Sequence, residues 1–148
     1  MPLTFSEVRE LQSVISLSNS KQEVLAIETE QLGKLWGRDC IFLDLFSQEN
    51  NTLTLKGEIE RYEDTLVDYK YTLIFKSVIA YFTCELDTYE NIDNSYVSSF
   101  NIVKNSEWLS SLPVRSDIDR LDLKHFQVFT YDYVLNIIAK SYDFKVEK

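Results

Sequence analysis

The hydrophobic pattern changes period near Cys40. Before it, Phe5, Val8, Leu11 and Ile15 recur at helical spacing, and Thr4-Phe5-Ser6-Glu7 fits a capping box, so a helix is predicted over residues 4–17. Ser20-Lys21-Gln22-Glu23 offers a second cap, but Val24-Leu25-Ala26-Ile27 is equally a compact apolar run. Residues 21–32 therefore fit either a helix or a short strand. Gly33 and Gly37 bracket a loop expected to set Trp36 at the edge of the core.

After Cys40 the period is two. In IFLDLF, Ile41, Leu43 and Leu45 share one face with Asp44 opposite, and SQENNT reads as a polar connection. In TLTLKGEIE, Leu53, Leu55 and Ile59 face one way and Thr54, Lys56, Glu58 and Glu60 the other, which predicts an antiparallel pair of strands. Residues 69–87 form the strongest β segment. Tyr69, Tyr71, Leu73 and Phe75 hold odd positions, but after Lys76-Ser77 the apolar set moves to Val78, Ala80, Phe82, Cys84 and Leu86. A one-residue slip turns every side chain over, so a bulge or sharp bend is predicted at Lys76-Ser77.

Residues 87–105 read as polar and acidic with scattered aromatics. NSEWLSSLP predicts a short helix capped at Asn105 or Ser106 and stopped by Pro113. The stretch from Val114 to Leu123 is a charged connection. The chain then alternates from His125 to Phe129, can turn at Tyr131-Asp132, and continues through a second β-branched and aromatic run, which predicts a C-terminal hairpin. A helix capped by Asp132 is the rival over residues 133–146. These elements predict one α+β domain spanning residues 1–148: an N-terminal helix packed on a mainly antiparallel sheet, a short helix near Trp108 and a C-terminal β-hairpin.

Composition narrows the function more than it names it. Hydrophobic residues make up 45% of the 148 positions, enough for a real core, and no apolar run of about 18 residues offers a membrane span. The acidic start of the chain does not read as a secretory signal. Cys40 and Cys84 are too sparse for a disulfide scaffold and sit among hydrophobes, so buried thiols in the cytoplasm are expected. A net charge of −9 disfavours nucleic acid and anionic membrane and favours a basic protein partner.

The single histidine, His125, has Asp122 and Asp132 nearby in sequence and many serines elsewhere, but no nucleophile elbow accompanies it. A polar residue at a strand edge is the expected role. With one His and two Cys, transition-metal chemistry lacks ligands, and Asp117, Asp119 and Asp122 lack the glycine and terminal glutamate of a calcium loop. Gly33, Gly37 and Gly57 form no phosphate cradle, so neither metal nor cofactor is predicted.

Two acidic, tyrosine-bearing segments flank the long β run. Glu58, Glu60, Tyr62 and Glu63 lie before it, and Glu85, Asp87, Tyr89, Glu90 and Asp93 follow it. If the strand bends or both segments meet at one end of the sheet, they make a single partner-binding surface. In size, acidity and cysteine usage the chain resembles the small immunity proteins with which bacteria neutralise toxins. That resemblance implies a stoichiometric protein partner, such as a basic toxin domain, and carries over no residue. The expected function is non-enzymatic protein binding. A small-molecule or enzymatic pocket near His125, Trp36 or Trp108 is the alternative, and an exposed strand edge is compatible with a homodimer.

Overall fold

A computed structural model describes residues 21–61, 67–85 and 98–148. Within them the chain is nearly all β, which corrects the α+β expectation. The helix predicted over residues 4–17 lies outside the described residues. Among those described, helix is confined to α1 (Glu107–Ser111) and a 3-10 turn (Arg120–Asp122), and no helix is long and apolar enough to cross a membrane. Ser106 caps α1, its Oγ accepting from Leu109 N–H, as the short helix near Trp108 required.

The strands are β1 (Glu23–Ala26), β2 (Ile41–Glu49), β3 (Thr52–Ile59), β4 (Tyr69–Lys76), β5 (Ala80–Glu85), β6 (Phe100–Lys104), β7 (Lys124–Phe129), β8 (Tyr133–Ala139) and β9 (Ser141–Glu147). They form two antiparallel sheets rather than the single one expected, ordered β2-β3-β4-β9 and β1-β6-β7-β8-β5. The reason is local. Ser77 adopts a φ of 57°, the left-handed region, and carries the chain from β4 in one sheet to β5 in the other. Lys140 does the same between β8 and β9. Hydrogen bonds from Lys140 N–H to Lys76 O and from Ile79 N–H to Ile138 O keep the two strands paired around the corner. The bend predicted at Lys76-Ser77 is present, and the C-terminal hairpin exists as β7–β8, with its second strand continuing as β9.

The core lies between the sheets. Phe75 of β4 packs against Phe126 of β7 at 5.3 Å between ring centroids, and Tyr142 of β9 meets Phe100 edge-on at 5.0 Å. Leu53, Leu55, Ile59 and Leu73 from one sheet and Val128, Leu135 and Ile137 from the other complete it. β8 is buried along nearly its whole length because the five-stranded sheet is covered on both faces. Its outer face lies under α1, whose Trp108 packs edge-on against Phe82 at 5.0 Å. The shift of apolar residues from odd to even positions after Ser77 thus accompanies the passage from one sheet to the other. Tyr81 still packs on the inner core, while Phe82 supplies this second, outer cluster.

Pairing decides readings that the sequence left open or missed. Residues 23–26 are a strand because β6 accepts them as a neighbour, in register from Glu23 opposite Lys104 to Ala26 opposite Asn101. β6 itself falls in a stretch that reads as polar, since it is only five residues long and Phe-Asn-Ile-Val-Lys does not alternate. β2 runs through Glu49 and turns at Asn50, where φ is 56°. A bulge between Leu43 and Leu45 moves Leu45 off the inner face and leaves it exposed. Cys84 is only partly buried, because its strand is a sheet edge, whereas Cys40 is buried as expected.

Candidate functional site

His125 is not at a strand edge. It lies on β7, the middle strand of its sheet, facing α1, and is buried. Its two ring nitrogens are both engaged at 2.7 Å, Nδ1 by Ser106 Oγ and Nε2 by Asn136 Oδ1. Asn136 Oδ1 also accepts from Gln127 Nε2–H at 3.3 Å, so it is an acceptor, and the imidazole carries its proton on Nε2. Nδ1 then accepts from the Ser106 hydroxyl. Burial holds the His125 pKa below its ordinary 6.5, an effect partly opposed by the bond to Asn136, so the ring is neutral.

A serine hydroxyl on a histidine whose other nitrogen is oriented by a third group has the outline of a nucleophile–base pair. Here the hydroxyl already accepts from Leu109 N–H, Ser106 is buried, and the Trp108 ring packs edge-on against the imidazole at 5.2 Å. The arrangement is a clasp. It fixes the start of α1 to the middle of the sheet and keeps the polar row Asn101–Gln127–Asn136, which crosses β6, β7 and β8, under cover. One group in that row, Asn136 Nδ2, is buried without a partner.

The aspartates considered for calcium serve the backbone and a neighbour instead. Asp119 Oδ1 accepts from Leu121 N–H at 2.9 Å, and Asp117 pairs with Arg115 at 3.2 Å.

The other candidate surface is the end of the molecule opposite the Ser77–Lys140 corner. There the β7–β8 turn docks on the four-stranded sheet, Tyr131 N–H donating to Ile41 O at 2.9 Å. The Tyr131 ring stacks on Phe42 at 5.4 Å, and the Arg38 guanidinium lies 5.5 Å from its centroid while Nε donates to Tyr131 O. Glu58 is opposite Phe42 in the β2–β3 ladder, and Glu85 is opposite Tyr133 in the β5–β8 ladder. Glu60 N–H donates to Cys40 O next to them. Glu58, Glu60 and Glu85 are all exposed, and the two acidic segments that flank the β4–β5 run therefore begin at one end.

Of the predicted partner residues, Tyr62, Glu63, Asp87, Tyr89, Glu90 and Asp93 lie outside the described residues. Sequence reasoning missed Tyr131, Tyr133 and Arg38. Trp36, Tyr131 and Tyr133 are 51%, 44% and 42% exposed at this end, a concentration of aromatic surface that solvation does not favour. The available signal was two tyrosines bracketing a turn, where polar residues are the rule. Comparison of the chain with family models, with curated proteins and with solved structures gives no match.

Proposed function

We propose that this aromatic, acidic end binds a basic protein partner, and that the protein acts by stoichiometric binding rather than by chemistry. The observation that carries the reading is the exposure of Trp36, Tyr131 and Tyr133 beside Glu58, Glu60 and Glu85. Tyrosine and tryptophan supply large, rigid contact area, and exposed Asp39, Asp68 and Asp132 add to a negative rim that steers a cation-rich surface. A basic toxin domain held in this way is the immunity-type role that the sequence suggests. The cytoplasm suits it, since Cys40 and Cys84 are both free thiols. A ligand pocket centred on His125 is the weaker reading, because both imidazole nitrogens already have partners.

The test is capture of partners from the source lysate on the tagged chain, followed by binding kinetics with the basic protein recovered. Tyr131→Ala with Tyr133→Ala should raise the dissociation rate, and Glu58→Lys with Glu60→Lys and Glu85→Lys should slow association. A partner that is not basic, or one indifferent to both sets of variants, overturns the reading.

A further inference from the structure

β9 closes one side of the four-stranded sheet and, among the described strands, pairs only with β4. Its residues alternate strictly. Tyr142, Phe144 and Val146 turn inward and are partly buried against the core, while Asp143, Lys145 and Glu147 lie on the outer face. An edge that no other described strand pairs is a template for another strand, and charges on it decide which strand can join.

We propose that two copies of the chain associate through β9, antiparallel about a two-fold axis at Phe144, to form one continuous eight-stranded sheet. The register follows from the charges. With the axis at Phe144, Asp143 of each copy lies opposite Lys145 of the other, Tyr142 lies opposite Val146, and the two Phe144 rings face each other across the seam. An axis at Asp143 sets two carboxylates opposite one another. An axis at Lys145 sets two ammonium groups together and Asp143 against Glu147. An axis between residues opposes inward to outward side chains and is excluded by the pleat. An axis at Val146 also pairs Lys145 with Glu147 but joins only the last three residues of β9, so the Phe144 register alone is complementary in charge along the whole strand, and it extends the apolar inner face across the join.

A seven-strand-residue seam is small, so the dimer is weak and concentration-dependent. The axis also points the two aromatic ends in opposite directions along the shared sheet, leaving both open to partners. The dimer and the partner-binding reading therefore stand or fall separately.

Sedimentation velocity of the full chain from micromolar to near-millimolar concentration tests the proposal. Wild type should shift reversibly from monomer to dimer. Lys145→Asp or Asp143→Lys alone creates two like-charge pairs in the seam and should weaken dimerisation by about tenfold or more. Asp143 also pairs with Lys76 of its own chain at 3.4 Å, so Asp143→Lys combined with Lys145→Asp and Lys76→Asp restores complementarity both across the seam and to β4 and should recover the dimer, which separates a lost contact from a damaged fold. A chain monomeric throughout, a dimer indifferent to the single reversals, or a triple variant no stronger than the singles overturns it.

Discussion

Gly57 shows how one residue can be dictated by the backbone beside it. A Cβ built there would stand 1.9 Å from the carbonyl oxygen of Phe42, at the bulge that re-aims β2, so no side chain fits without moving the strand. Gly57→Ala should cost about 3 kcal/mol or more in urea unfolding, since the obstacle is backbone and cannot rotate away. His125 makes a second prediction at this scale. The unfolded chain takes up the imidazole proton near 6.5, whereas the folded chain resists it to lower pH because of burial. The contribution to stability is full above 6.5 and lost as pH falls through the lowered value. Melting temperature should therefore drop as pH falls below about 6.5, and His125→Gln should flatten that slope. An unchanged slope would remove the clasp from the account.

Elements, by contrast, are decided by what pairs with them. Ser77 carries a side chain in left-handed backbone, so Ser77→Gly should raise stability by up to about 1 kcal/mol, and Ser77→Val should lower it by a similar amount. Denaturant midpoints of the two variants check this. The bend at Ser77 was legible because a hydrophobic period changed phase there. Strands β3 and β4 were legible because one face is apolar and the other wet, which writes an alternation into the chain, and β7 because polar His125 and Gln127 alternate with Phe126 and Val128 although both of its faces are buried. β1 and β6 were not, because each is four or five residues long and draws its identity from the other. Nor was the division into two sheets, since a run that supplies one strand to each sheet has the same local pattern as one that stays in a single sheet. The acids of the candidate surface could be read directly as a charge run. Tyr131 and Tyr133 could not, because their exposure depends on how a turn seats against Ile41 on a distant strand.

For the molecule as a whole, charge and aromatic surface act over different ranges. The net charge of −9 reaches beyond contact and should make association with a basic partner fall steeply with added salt, while the tyrosines act only once the surfaces touch. Stopped-flow association at several ionic strengths should give a strong salt slope that the Glu58, Glu60 and Glu85 reversals flatten, leaving dissociation little changed. The corner at Ser77 and Lys140 bears on what such binding can do to the protein. The two chain crossings there are stitched together by the bonds from Lys140 N–H to Lys76 O and from Ile79 N–H to Ile138 O, so the sheets that enclose the core are also joined along a crease. Hinge opening would tear that stitching apart. On the proposed binding reading, a partner would find its surface ready-made, and binding at the far end would leave the crease as it was.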